Sequence, residues 1–307
     1  MSLYELFTSK GPSGFGYGST AEQVTAGLDL KGKTYLVTGC NSGLGHEALR
    51  VLTLRGAKVV GTARTVEKAR EACATVKGET VPLACELSDP KSVRACVAAV
   101  KAAGLQLDGI IANAGIMALP KLEKAFGYEL QFFTNHIGHF ILVTGLLDAL
   151  TPEGRVVMLS SAAHKGAPKG GIQFDNLDGS KGYGDWANYG QSKIANLLFA
   201  KELARRFQGT RRTANAVHPG VIKTNLGRHM NPLAGLVFGI VGPLVLKSVP
   251  QGAATEVFVA THPSLAGVSG QYFADCNVAR PRADAEDAEL AKKLWDVSEQ
   301  IVAGLPA

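Results

Sequence analysis

Beyond residue 30 the chain alternates short apolar runs rich in β-formers with longer segments of helical period, and this alternation constrains the fold more than any other feature. Residues 33–38, 57–62, 79–84, 107–112, 155–159, 213–217 and 270–273 read as strands. Between them the periodicity predicts helices over 44–55, 66–76, 90–103, 123–150, 188–207 and 251–260, with a last helix over 285–302. Strands apolar on both faces and separated by helices pair in parallel, and right-handed crossovers distribute the helices over both faces. The expected fold is therefore α/β, a single doubly wound domain over 31–307 with a seven-stranded parallel sheet. Its ligands belong at the carboxyl ends of the strands. Residues 1–30 read as an N-terminal arm rich in Gly, Ser and Thr, with Ser19 and Glu22 spaced as a capping box for a short helix.

Composition narrows the function classes. With 46% hydrophobic and 19% charged residues, the 307-residue chain is too apolar to be disordered and buries a large core. The net charge of +6 suits a phosphate-bearing ligand, but no long basic block supports nucleic-acid binding. Five widely spaced cysteines contain no CxxC and no histidine pair at zinc spacing, which points to a reducing compartment and to no metal. The first thirty residues hold neither a signal-peptide core nor an arginine-bearing transit pattern, so a cytoplasmic setting is expected. The longest weakly charged apolar stretch, 232–246, falls short of a membrane span, and no transmembrane helix is expected.

Three local patterns carry chemistry. Thr38-Gly39-Cys40-Asn41-Ser42-Gly43-Leu44-Gly45 follows the first strand and opens the first helix. Glycines there permit a tight turn, and the helix start offers free N–H groups and a partial positive charge to a pyrophosphate. At the end of the second strand, where an acidic residue would bind a ribose 2′-hydroxyl, the sequence instead reads Thr62-Ala63-Arg64. A guanidinium suits a 2′-phosphate, so NADP is expected over NAD. Tyr189 and Lys193 lie four apart on a helical run and share a face. An ammonium beside a phenol is expected to lower its pKa and to prepare it for proton exchange with a carbinol or carbonyl oxygen.

These elements occur in order with others, and together they resemble the short-chain dehydrogenase/reductase family, a Rossmann fold, from about Lys31 to Val302. The resemblance implies an NADP(H)-dependent oxidoreductase with Asn135, Ser161, Tyr189 and Lys193 as the catalytic set. Ser161 would bond the substrate oxygen, Lys193 the nicotinamide ribose, and Asn135 a water that links the lysine to solvent. It implies cofactor contacts from Gly39, Asn41, Ser42, Gly43, Leu44, Gly45 and Arg64, and from the NAG triplet Asn113, Ala114 and Gly115. Glu86 and Leu87 stand at the adenine position, where the family has Asp before an aliphatic residue. Pro219, Gly220 and Val221 form the turn at the nicotinamide carboxamide, with Thr224 reaching the phosphates. The segments around SSAAH and YGQSKIANLLFAKELARR are similar to the retinol dehydrogenase-like branch, and the Gly11–Gly16 arm to plant short-chain dehydrogenases of the chloroplast import machinery. The arm is read as shared ancestry and not as an address.

After the Pro-Gly turn, residues 225–247 become apolar, with Leu233, Leu236, Phe238 and Ile240 among them. The resemblance makes this stretch a lid over an apolar small-molecule substrate; a buried core helix, or a face against a membrane surface or a second copy of the chain, giving a homo-oligomer, fits the same composition. The expected function is interconversion of an alcohol and a carbonyl on an apolar small molecule. The alternative is a non-catalytic regulator that senses NADP(H).

Overall fold

The computed structural model describes residues 8–222 and 246–306. Its strands are β1 (Thr34–Thr38), β2 (Lys58–Ala63), β3 (Thr80–Ala84), β4 (Leu107–Ala112), β5 (Lys124–Ala125), β6 (Tyr128–Glu129), β7 (Leu150–Leu159), β8 (Thr213–His218), β9 (Tyr272–Ala274) and β10 (Asn277–Val278). Eight of them form one sheet in the order β10-β9-β8-β7-β4-β1-β2-β3. Seven of these pair in parallel, as expected, and β10 adds an antiparallel edge to β9. The chain winds outward from β1 to β3, then returns to lay β4 on the other side of β1. The loops leaving β1 and β4 therefore diverge and open a crevice at the carboxyl edge.

The helices are α1 (Ala21–Val24), α2 (Gly43–Leu54), α3 (Val66–Ala74), α4 (Pro90–Ala102), α5 (Leu130–Phe132), α6 (Gly138–Gly145), α7 (Asp185–Arg206), α8 (Val249–Thr261) and α9 (Ala288–Ala303). Alternate strand residues feed two cores. Leu36, Ile110 and Val156 pack with α4, α6, α7 and α9, while Val37, Ile111 and Val157 pack with α2 and α8. Both faces of the central strands are buried, which is why their sequence reads as continuous apolar runs.

Three sequence expectations are corrected. The long helix over 123–150 is broken into a β5–β6 hairpin, α5, a wide π turn over Phe133–Ile137 and α6, while Leu150 already belongs to β7. Phe126 and Gly127 both adopt positive φ (50° and 86°), the geometry of a hairpin turn that helical periodicity does not reveal. The arm's capping box is Thr20 with Gln23, one position later than Ser19 with Glu22. Ser19 instead accepts a hydrogen bond from Gly16 N–H at 3.0 Å. The arm is also packed, since Ala21 and Val24 of α1 are buried in the core beside α8.

No helix among the described residues is long and apolar enough to cross a membrane, and no group of side chains there could hold a metal ion. The five cysteines are free and buried. Thr224 and residues 225–245 of the lid expected over 225–247 lie outside the described residues.

Candidate active site

The turn from β1 to α2 is shaped for close approach. Gly39 and Gly43 hold positive φ (71° and 57°), and a Cβ on Gly45 would overlap the Gly39 carbonyl and stand 2.5 Å from Asn113 Nδ2. Asn113 Nδ2 donates to the Thr38 carbonyl at 2.8 Å, and Ala114 N–H donates to Thr38 Oγ1 at 2.9 Å, so the β4 loop buttresses the glycine-rich turn. A Cβ on Gly39 would stand 3.0 Å from Ala114 Cβ. Helices α3 and α4 are capped by the Thr65 and Asp89 side chains, but Ser42 makes no such bond to α2. The first N–H groups of α2 thus have no side-chain acceptor, a donor set that fits a pyrophosphate. Asn41 and Ser42 are exposed there, and Leu44 is half-buried.

Arg64 leaves the end of β2 exposed, with no ion pair or hydrogen bond among the described residues. Glu86 turns onto Ser88, accepting from its N–H and hydroxyl at 3.2 and 2.9 Å. Leu87, expected at the adenine, is only 4% exposed and packs in the core. Pro219, Gly220 and Val221 leave β8, with Gly220 at φ 92° and Val221 exposed.

Tyr189 and Lys193 project from the buried face of the 22-residue helix α7. Lys193 Nζ stands over the Tyr189 ring, 5.6 Å from its centroid, and donates to the Leu159 carbonyl at 3.1 Å. Gly115 closes the same space, since a Cβ there would lie 2.9 Å from Asn135 Oδ1 and 3.4 Å from Lys193 Nζ. The two neighbouring serines have separate tasks. Ser160 is buried and donates to the Lys193 carbonyl at 2.7 Å, whereas Ser161 starts a 3₁₀ turn, its hydroxyl accepting from Ala163 N–H at 3.2 Å.

The expected acidification of the phenol is corrected. Burial pushes the Tyr189 pKa up to about 12, and the nearby Ser161 hydroxyl opposes that only in part. The ammonium lies over the ring face and spends its hydrogen bond on the Leu159 carbonyl, and burial outweighs its attraction for the phenolate. Burial also lowers Lys193 to about 8.

Asn135 sits in the π turn, where the widened helix redirects its groups. Its side chain accepts from Ile116 N–H at 2.8 Å and donates to the Ile116 carbonyl and Ser192 Oγ, each at 2.9 Å. Its carbonyl accepts from His139 Nδ1 at 2.9 Å, and His139 Nε2 meets Thr38 Oγ1 at 3.0 Å. The Asn135 carbonyl can only accept, so Nδ1 carries the proton, and in the neutral ring Nε2 accepts from the Thr38 hydroxyl. Burial agrees, lowering the His139 pKa to about 4.

Sequence reasoning missed His139, Ser192 and Trp186. Trp186 is 46% exposed and meets Tyr189 edge-on at 6.1 Å between centroids. The signals were present at helical spacing, with His139 four residues after Asn135 and Trp186 three before Tyr189.

A doubly wound sheet with a glycine-rich turn at its switch point, a buried Tyr–Lys pair and a half-buried Ser161 beside it define a Rossmann-type fold with a candidate site at its carboxyl edge. The family model described as short chain dehydrogenase matches residues 33–233, and the chain belongs to that family. It is 43% identical over 321 aligned positions, covering all of both chains, to the chloroplastic short-chain dehydrogenase TIC 32 B of Brassica napus. Human retinol dehydrogenase 14 is 38% identical over 296 positions, covering 89% of this chain and 87% of that protein. Among solved structures, an uncharacterized protein from Mycobacterium paratuberculosis superposes with a TM-score of 0.76 at 31% identity, covering 91% of this chain and 97% of its own. Both branches named from the sequence are therefore represented among the relatives.

Proposed function

We propose that this chain is an NADP(H)-dependent oxidoreductase that interconverts an alcohol and a carbonyl on an apolar small molecule. The observation that carries the reading is the Tyr189 phenol on the buried face of α7, with the Lys193 ammonium 5.6 Å from its ring centroid and Ser161 just past the carboxyl end of β7. Bound NADPH supplies the hydride. Ser161 and Tyr189 grip the substrate oxygen, and the phenol, protonated at neutral pH, delivers the proton that completes a carbonyl reduction. Lys193 would bind the nicotinamide ribose, and Asn135 holds the loop at Ile116. The turn at 39–45 and Asn113, Ala114 and Gly115 would seat the pyrophosphate and ribose, with Pro219, Gly220 and Val221 at the nicotinamide.

The free Arg64 supports NADP as the cofactor. Replacing it by alanine is expected to weaken NADPH binding by about 10- to 100-fold, the loss of a charge-assisted pair, and to leave NADH within about threefold. Isothermal titration of both dinucleotides checks this, and equal losses for the two would remove Arg64 from the 2′-phosphate. A cytoplasmic setting is proposed on the five free cysteines, and a chloroplast address is said only of the plant relatives.

A panel of aldehydes, ketones, retinoids and steroids with NADPH, followed at the nicotinamide absorbance, tests the activity itself. Oxidation of NADPH by at least one apolar carbonyl is the expected result. Tight NADPH binding with no turnover across the panel would favour the sensing regulator instead.

A further inference from the structure

Lys247 is buried to 1% exposure at the point where the described chain resumes after the Pro219–Gly220–Val221 turn. An ammonium taken out of water is costly unless paired, so its surroundings reveal what holds it. Nζ pairs with Asp275 Oδ1 at 2.5 Å and lies 4.8 Å from the centroid of the Tyr17 ring. Its aliphatic stem fills the space a side chain at Gly220 would need, with Lys247 Cδ 2.7 Å and Cε 3.0 Å from where that Cβ would stand. Its backbone N–H donates to the Val221 carbonyl at 2.9 Å, and Ile222 and Lys247 form a parallel bridge.

Each partner is itself fixed. Asp275 and Cys276 lie between β9 and β10 with positive φ (51° and 62°), a conformation non-glycine residues adopt only when the surroundings impose it. Tyr17 belongs to the arm, which is pinned to that same turn by Ser13 N–H donating to Asn277 Oδ1 and Asn277 Nδ2 donating to the Phe15 carbonyl, both at 3.0 Å. Phe15 packs edge-on against Phe258 of α8 at 5.5 Å. Four segments remote in sequence thus meet on one ammonium beneath one turn.

We infer that Lys247 is a positioning residue for the Pro219–Gly220–Val221 turn at the nicotinamide end of the dinucleotide site, and that Asp275 and the N-terminal arm, through Tyr17, hold it there. The inference rests on the dinucleotide-binding reading above. It makes the arm a working part of the domain rather than an appendage. The stem of Lys247 supports the turn from below, the ion pair and ring fix the stem, and the arm meets the adenosine half, built from β1, β2 and α2, only farther along, where Glu22 pairs with Arg50 at 2.6 Å.

The test exploits that separation. Binding of NADPH and of 2′-phosphoadenosine 5′-diphosphoribose, which lacks the nicotinamide, is measured by fluorescence and calorimetry on the full chain. Lys247→Met and Asp275→Asn are expected to weaken NADPH about tenfold or more while the fragment stays within about twofold. Tyr17→Leu should weaken NADPH severalfold, and Tyr17→Phe, which keeps the ring, should recover most of that loss. NADPH and fragment affinities that fall in parallel, or that do not change while only the melting temperature drops, would overturn the inference. If Lys247→Met does not fold, the Tyr17→Leu and Tyr17→Phe pair decides by the same criterion. Parent protein that binds neither ligand refutes the dinucleotide reading instead, so the two failures are distinguishable.

Discussion

Tyr189→Phe is expected to cut turnover by roughly two to four orders of magnitude while NADPH affinity changes less than about threefold. The size follows from what the hydroxyl does and from how little else depends on it. Tyr189 is 5% exposed, its ring packs edge-on against Trp186, and phenylalanine keeps that packing. The lost atom is the phenolic oxygen, the proposed proton donor to the substrate oxygen. The pH dependence separates the two directions. A phenol with its pKa pushed up to about 12 stays protonated throughout the neutral range, so the reductive rate should be flat with pH. It should then fall above about pH 8, where Lys193 loses its charge. Oxidation of the alcohol needs the phenolate and should climb with pH over the same interval. Profiles of kcat in both directions check this. A variant within a few-fold of the parent protein, or a reductive rate that rises between about pH 7 and 9, would contradict the assignment.

The fold was legible wherever burial wrote itself into the sequence. Parallel strands closed in on both faces must be apolar throughout, which marked β1, β2, β4 and β8 to within a residue or two. Tyr189 and Lys193 were legible because helical spacing alone puts residues four apart on one face. What escaped depends on tertiary surroundings. Residues 123–150 carry helical periodicity, yet the positive φ of Phe126 and Gly127 reverses the chain and the π turn displaces Asn135, neither of which a hydrophobic pattern encodes. The phenol's pKa escaped for a related reason. Spacing predicts that an ammonium is near, but whether burial or charge prevails depends on where Nζ points, and here it points to the Leu159 carbonyl. The Lys247–Asp275 pair joins positions 28 apart, and Tyr17 is far removed from both; no local pattern connects them.

A second large effect is expected on stability, from a residue outside the site. Glu256 lies on α8 with no exposed surface, and neither carboxyl oxygen has a hydrogen-bond partner among the described residues. Burial raises its pKa to about 8. In the unfolded chain the group ionises near pH 4.5, its ordinary value, so between these limits the unfolded state has released a proton that the folded state retains. The sign is therefore destabilising. Nothing is lost below about pH 4.5, stability falls by up to about 1.4 kcal/mol per pH unit as pH rises, and the loss levels off above about pH 8. At pH 7 the cost amounts to several kcal/mol, to which the unpartnered hydroxyl adds about 1–3 kcal/mol. Glu256→Leu, of similar volume and good helix propensity, should raise the melting temperature at pH 7.5 by at least about 5 °C. Glu256→Gln should remove the pH dependence and keep the unsatisfied polar group, gaining less. Denaturant unfolding of the three proteins from pH 4.5 to 8.5 checks both terms, since the gap between parent and Glu256→Gln must widen with pH. Parallel curves would mean that the carboxylate is ionised and paired in the folded protein. A melting temperature lowered by Glu256→Leu would mean that the helix needs the carboxyl where it stands.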